Sequence, residues 1–322
     1  RTKARPTYPT VESANTGPAK CRVPITWGAL SALAAHPWFP WVAYTAHDSA
    51  YNEARIYTLL VGGKNSPAII YKETPLKDAD GNTVDIDIEG LAVSRNGGFW
   101  VASEGAGSVD DASRPVTSKS VLYRVTSKGQ ITETVELPAS VNALQRRFGF
   151  EGVASVGCGK HEELYVAFQR EWVDDPSGLA RIGRYVPATG AWTFFYYPLD
   201  AATSPAGGWV GLSEIVHIRG ERFAVIERDN QGGPDARLKR IYEFSVKGIT
   251  PVAQGGTIPV LTKTLARDLV PDLEKDGGFV LEKVEGLTKL AGGRVLVVTD
   301  NDGVDDASGE TQLIDLGRIF GK

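Results

Sequence analysis

The 322-residue sequence predicts an all-β chain folded as a single five-bladed β-propeller. Three observations carry that reading. One short phrase recurs along the whole chain, each copy is followed by short apolar runs rich in β-branched and aromatic residues, and Gly, Asn, Asp and Pro bound the runs. The clearest copy is Ile88-Glu89-Gly90-Leu91-Ala92, which returns as Phe150-Glu151-Gly152-Val153-Ala154 and as Val284-Glu285-Gly286-Leu287-Thr288. Ser213-Glu214-Ile215-Val216 is a degenerate copy, and Trp27-Gly28-Ala29-Leu30-Ser31 a weaker one without the acid. Aligned on positions 28, 89, 151, 214 and 285, successive copies lie 61, 62, 63 and 71 residues apart.

Each copy opens a blade. Second strands are expected at Trp41–Thr45, Trp100–Glu104, Tyr165–Gln169, Phe223–Glu227 and Leu296–Asp300. Third strands are expected at Arg55–Tyr57, Val121–Tyr123, Arg181–Gly183, Arg240–Tyr242 and Leu313–Asp315. A repeat of three to four short strands is the propeller unit. Blades should start near residues 26, 86, 148, 210 and 282, with 245–282 as the place where a sixth could hide. Residues 1–20, rich in Pro, Thr and Lys, read as an arm or linker ahead of a domain over 21–322. Only 38 residues follow from Glu285 on, enough for about three strands, so an N-terminal strand is expected to complete the last blade. Val141–Arg147 suggests a short helix, and Thr262–Val270 a helical insertion before blade five.

Composition narrows the function classes. A net charge of −4, with 42% hydrophobic and 23% charged residues, is ordinary for a globular protein and points to neither nucleic acid nor an anionic membrane as partner. No apolar run approaches the ~20 residues of a membrane helix, so no membrane insertion is expected. Met is absent even from position 1, which fits a processed product whose signal peptide has been removed. Cys21 and Cys158 allow one disulfide or two separate thiols, and neither has a partner at metal-motif spacing. The loops Val109–Ser113, Val173–Ser177 and Val304–Ser308 share a Val-Asp-Asp-x-Ser pattern, best read as turns on one face of the disc.

Equivalent positions of successive blades form rings. Glu89, Glu151, Glu214 and Glu285 should make an inner ring of carboxylates, which raise one another's pKa or require a cation. An all-oxygen donor set suits a hard ion, Ca²⁺ before a transition metal, since only four His are present and they are scattered. For any one Glu, bonding to backbone N–H groups of the next blade is an equally good account. The ends of the second strands, Glu104, Gln169, Glu227 and Asp300 with Thr45, should form a second ring. His47, Arg170, Arg228, Asp229, Asn230, Asn301 and Asp302 lie beside it. Catalytic roles fall to Glu104, Glu227, Arg228, Asp229 and Asp300, and substrate contacts to His47, Arg170, Asn230 and Asn301. In such a set a carboxylate activates water and an Arg fork holds a phosphate, although the arginines could equally serve to pair neighbouring acids.

The phrases Asp87-Ile88-Glu89-Gly90-Leu91, Phe150-Glu151-Gly152-Val153-Ala154, Ile226-Glu227-Arg228-Asp229-Asn230 and Val298-Thr299-Asp300-Asn301-Asp302-Gly303 resemble the phytase-like family, often labelled "esterase-like activity of phytase". The resemblance covers roughly residues 25–320. It implies a propeller and a secreted or periplasmic bacterial protein with metal-dependent hydrolysis of a small-molecule phosphoester. Two other readings stay open: a Ca²⁺-dependent lactonase or esterase, and a non-catalytic binding or scaffold propeller. No Gly-x-Ser-x-Gly elbow supports a serine esterase. Dense Lys and Arg at the axial mouth would favour phosphate, an apolar mouth an ester, and a filled axis a scaffold.

Overall fold

In the computed structural model, residues 11–13, 15–16, 23–63, 66–275, 278–301 and 311–321 are described. The N-terminal segment supplies β1 (Val11–Ser13) and the hairpin β2 (Asn15–Thr16) and β3 (Val23–Pro24). Blade one is β4 (Leu30–Ala35), β5 (Val42–His47), β6 (Arg55–Leu60) and β7 (Ala68–Pro75). Blade two is β8 (Ile88–Val93), β9 (Phe99–Ser103), β10 (Val121–Val125) and β11 (Ile131–Glu136). A short helix, α1 (Ala139–Asn142), leads to blade three: β12 (Phe150–Val156), β13 (Glu163–Phe168), β14 (Leu179–Val186) and β15 (Ala191–Pro198). Blade four is β16 (Val210–Arg219), β17 (Arg222–Asp229), β18 (Lys239–Ser245) and β19 (Lys263–Asp268). One turn of helix, α2 (Val270–Leu273), precedes blade five: β20 (Val284–Lys289), β21 (Val295–Thr299) and β22 (Leu313–Gly317).

Within each blade the strands form an antiparallel meander. The first strands stand side by side in the cyclic order β4, β8, β12, β16, β20 and back to β4. The propeller is therefore five-bladed, and its ring closes by packing of β20 against β4. Residues 245–282 hold no sixth blade among the described residues. Instead they swing back over the edge of blade three, where Val252 and Val260 bridge to Phe194 and Tyr196. Part of the expected helical insertion is strand β19, because its edge position asks only for alternation, and helix is confined to α2.

Among the described residues no N-terminal strand pairs with the last blade, contrary to the expectation from sequence. β1 instead runs parallel to β7 at the outer edge of blade one, and blade five has three strands among the described residues. The exposed edge of β7 offers unpaired backbone groups that such a strand can cap. Cys21 lies outside the described residues, and Cys158 is an exposed free thiol.

Five apolar cores, one between each pair of adjacent blades, hold the disc together. Alternate residues of one inner strand serve different cores: Ala32 and Ala34 face blade two, whereas Leu33 faces blade five. Strands buried on both faces need near-continuous apolar runs, which is why β9 and β21 are buried throughout. Phe223, Tyr165 and Phe244 stack in the core between blades three and four.

Every inner strand carries a one-residue bulge at the same place. The register shifts between Leu30 and Ala32, Ile88 and Gly90, Phe150 and Gly152, Leu212 and Glu214, and Val284 and Gly286. The residues left unpaired are thus Ser31, Glu89, Glu151, Ser213 and Glu285. The glycine of the Glu-Gly phrase follows from the crowding of the inner strands. A Cβ on Gly90 would lie 2.7 Å from Gly152 Cα, and one on Gly152 would lie 2.6 Å from the Ile215 nitrogen. The far ends of all five inner strands line one cavity, so these strands run in the same sense. We call that end of the axis lower and the bulged end upper. The first two Asp-Asp loops join second to third strands and so share the upper face. Asp110 grips Arg146 at 2.6 Å, and Asp174 and Asp175 hold the buried Arg181. The third such loop, including Asp302 to Asp306, lies outside the described residues.

Candidate active site

The bulge turns an extra residue out of the ladder at the upper mouth, and this builds the inner ring. Glu89 feels Asp87, Glu151, Glu285 and Glu104, and burial together with that repulsion raises its pKa well above the carboxylate range. Glu151 is raised likewise, first by burial and then by Glu104 and Glu285. It accepts a hydrogen bond from Gln169 Nε2 at 2.7 Å. Glu285 pairs with Arg228 Nη2 at 2.6 Å. In blades one and four the bulge residue is serine, which pins the next blade instead: Ser31 Oγ donates to Ile88 O, and Ser213 Oγ to Val284 O at 3.0 Å.

Glu214 does not belong to this ring, contrary to the sequence alignment. It sits one residue beyond the bulge, level with Gly90, Gly152 and Gly286, and a one-residue slip in a strand changes the face. Its fully buried carboxyl takes backbone N–H bonds from Ile215, at 2.9 Å, from Leu33 in blade one and from Leu287 in blade five. Burial holds its pKa well above normal. Glu214 thus ties three blades together across the axis, the backbone-bonding role weighed for a single Glu. Gly28 is likewise not the blade-one counterpart; Ser31 is.

The register also redraws the second ring. Ile88 pairs with Ser103, Phe150 with Phe168, Leu212 with Glu227, Val284 with Thr299 and Leu30 with His47. The next residues are Glu104, Gln169, Arg228, Asp300 and Asp48, and these form the ring. Glu227 falls on the other face, where Tyr197 Oη at 2.7 Å, the Asp200 N–H and Lys263 Nζ, each at 2.6 Å, occupy it. Thr45 donates to Ala32 O at 2.6 Å inside blade one. Asp229 is also spent on structure: it accepts the N–H groups of Arg237 and Leu238 and the buried Lys239 ammonium at 2.8 Å. His47 is fully buried with its ring nitrogens against Asp48 O and Glu53 O. Asn230 Oδ1 accepts the Trp209 N–H, and Asn301 Oδ1 accepts the Ala29 N–H and so links blade five to blade one.

Three carboxylates converge most closely. Asp87, Glu89 and Glu104 each offer an oxygen within 4.8 Å of the others. Asp87 Oδ1 is buried without a hydrogen-bond partner among the described residues. Burial raises the Asp87 pKa, and burial followed by Asp87 pushes Glu104 and Asp48 up to about 7 each. Glu104 is held by the N–H groups of Phe148 and Gly149, the latter at 2.7 Å. Phe148 adopts a left-handed backbone, φ 76°, costly for a large side chain, and the two successive N–H groups aimed at Glu104 compensate it. An orphaned buried oxygen in an all-carboxylate cluster fits a hard divalent cation.

Beside the acids lies a set of arginines and aromatic rings. Arg147 and Arg170 stand over Phe148 at 4.5 and 5.2 Å, and Arg170 and Arg228 over Trp209 at 5.4 and 5.6 Å. Arg228 Nε reaches Ser213 Oγ at 3.2 Å, while its Nη1 is buried with no hydrogen-bond partner among the described residues. Asp300 forms an ion pair with Lys283 at 3.6 Å. A cleft of about 530 Å³ opens beside Asp87 and Glu104, bordered by Arg114 and Arg147.

The family model for phytase-like proteins, described as "Esterase-like activity of phytase", matches residues 25–303. The chain belongs to the phytase-like family. No curated protein sequence matches it. Solved structures similar to it include a Bacteroides caccae protein of unknown function, 11% identical, covering 92% of this chain and 81% of that one, with a TM-score of 0.44. The Malassezia sympodialis allergen Mala s 1 is 14% identical over 88% of this chain and 90% of its own, TM-score 0.42. The periplasmic gluconolactonase of Pseudomonas aeruginosa is 13% identical over 89% and 85%, TM-score 0.34.

In this phytase-like chain the sequence reading passed over Asp48, Asp87, Arg147, Phe148, Trp209 and Lys283 as site residues. Asp87 and Asp48 carried a signal, since each stands beside a recurring phrase. The others sit in loops between blades, where no repeat marks them.

Proposed function

We propose that the chain is a Ca²⁺-dependent hydrolase of small phosphoric esters, working at the upper axial mouth. The observation that carries this reading is the set of arginines at the mouth: Arg228 pairs with the ring acid Glu285, Arg147 lines the cleft shared by Asp87 and Glu104, and Arg170 packs on the same Phe148 and Trp209 rings. Acids alone would suit a cation, whereas acids beside arginines suit a cation and an anionic substrate together. Asp87 and Glu89 would hold the ion, with Glu151 and Glu285 adding negative charge behind them. When bound, the ion supplies Lewis-acid polarisation of a phosphoryl oxygen. Arg228, kept charged and oriented by Glu285, has a free Nη1 to donate to a second phosphoryl oxygen. Trp209 and Phe148 hold the guanidinium planes and exclude water from one side. Glu104 is fixed by two backbone N–H groups and titrates near 7, so it is placed to take a proton from water attacking phosphorus. Lys283, paired with Asp300, stands close enough to Asp87 and Asp48 to favour their charged forms. The same reading places the protein outside the cytoplasm, as the family resemblance implies.

The test is a substrate panel of p-nitrophenyl phosphate, phytate, bis-p-nitrophenyl phosphate and a γ-lactone, each with Ca²⁺ and with chelator. Phosphoester turnover that chelator abolishes, and that Arg228→Gln lowers at least tenfold, is the expected result. Turnover of the lactone alone would replace this reading with the lactonase one. No turnover of any substrate would leave a binding propeller.

A further inference from the structure

The opposite end of the axis has a different chemistry. There the last residues of all five inner strands, with the turns that follow, enclose a cavity of about 550 Å³, within the range of small-ligand sites. Its wall is apolar, with Leu33, Leu91, Val153, Ile215 and Leu290 from five different blades. Its rim carries Arg95, His217, Arg219 and Lys289, and no Asp or Glu lines it among the described residues. Arg219 acts on Lys289, and Arg95 and Lys289 act on His217, at repulsive range. Burial and Arg219 lower the Lys289 pKa, and burial, Arg95 and Lys289 lower that of His217. Lys289 Nζ is held by Ile218 O at 3.0 Å and the His217 ring by Gly220 O at 2.8 Å, so both are anchored to the β16–β17 turn. Clustered cations over an apolar pocket are stabilised by an anion.

The turn between β4 and β5 adds a second feature at this mouth. His36 and Pro37 line the cavity, and Trp38, Phe39 and Trp41 beside them are 73%, 47% and 54% exposed. Three large exposed rings within four residues are unusual on a soluble surface unless they meet an apolar ligand. Glu214, bonded across the axis to blades one and five, stands along its strand between the bulge at the acidic mouth and Ile215 in the cavity wall.

We propose that the lower mouth is a second binding site, for an amphiphilic anion whose apolar tail fills the cavity and whose carboxylate or phosphate head meets Arg95, Arg219 and Lys289. It is independent of the reaction proposed for the upper mouth.

Calorimetric titration below the micelle concentration tests this, with decanoate, decyl phosphate, decanol and decyltrimethylammonium as probes. Saturable one-to-one binding of the two anions is expected, at least tenfold weaker for decanol and absent for the cation. The double variant Arg95→Gln, Arg219→Gln, its fold checked by circular dichroism, should lose at least tenfold in affinity for the anions. Glu151→Gln, at the upper mouth, should bind them unchanged. Equal binding of decanol, an unaffected double variant, or loss of binding in Glu151→Gln would each overturn the proposal. So would binding only to phosphatidylglycerol vesicles, which would make the aromatic turn a membrane contact instead.

Discussion

Glu104 offers a direct measure of the strain stored in the acidic mouth. Its carboxyl moves from the usual 4.5 to about 7 in the folded chain, through burial and then Asp87. Between these values the unfolded chain has released the proton and the folded chain still holds it. Folding stability from this group is therefore complete below pH 4.5 and is lost as pH rises through 7. Each unit is worth about 1.4 kcal/mol, so the loss has a ceiling of about 3.5 kcal/mol, reduced by the group's partial exposure and its sharing of charge with Asp87. The perturbation is Glu104→Gln, which keeps an oxygen for the Gly149 N–H and removes the titration. Urea unfolding in chelator at pH 4.5, 6, 7 and 8 is the assay. Wild type should lose roughly 1–3 kcal/mol more than the variant across this window. Saturating Ca²⁺ should cancel most of the difference, because an ion that binds only the folded chain stabilises it, by about 4 kcal/mol at a thousand times its Kd. Parallel profiles for the two proteins in chelator would refute the reasoning.

Three further outcomes are expected. Gly90→Ala places a Cβ 2.7 Å from Gly152 Cα and should cost roughly 2–3 kcal/mol in urea unfolding; Gly63→Ala, with nothing within 4 Å, should change stability by less than about 0.5. Glu227→Gln should lose roughly 2–3 kcal/mol by weakening its buried bonds to Lys263, Tyr197 and Asp200, yet keep the full Ca²⁺-induced rise in Tm. Glu151→Gln should diminish that rise and Glu214→Gln should not, and calorimetric melting curves of both with and without Ca²⁺ separate the inner ring from the cross-axis tie.

The sequence by itself determined the fold class, the number of blades and, to within a few residues, the position of each inner strand. The repeat does this, because each blade must bury both faces against its neighbours and so reuses the same apolar runs and bounding glycines. It also brought Glu89, Glu151 and Glu285 to one axis, since equivalent positions in a closed ring converge. Only the tertiary structure decided which acids stay there. A bulge makes membership turn on a single residue. In blade four the acid stands one place late in the first strand and one place early in the second, so Glu214 becomes a tie and Glu227 a core partner, while Arg228 enters the ring. No propensity or period reports such a shift; it is set by pairing across strands. Closure was equally invisible, because β1 had two sheet edges it could cap and only the path of the chain in space selected β7. The arginines and aromatic rings beside the acids, and the cationic lower mouth, come from strand ends, loops and turns of different blades. Their sequences share no pattern, and only the closed ring makes them neighbours.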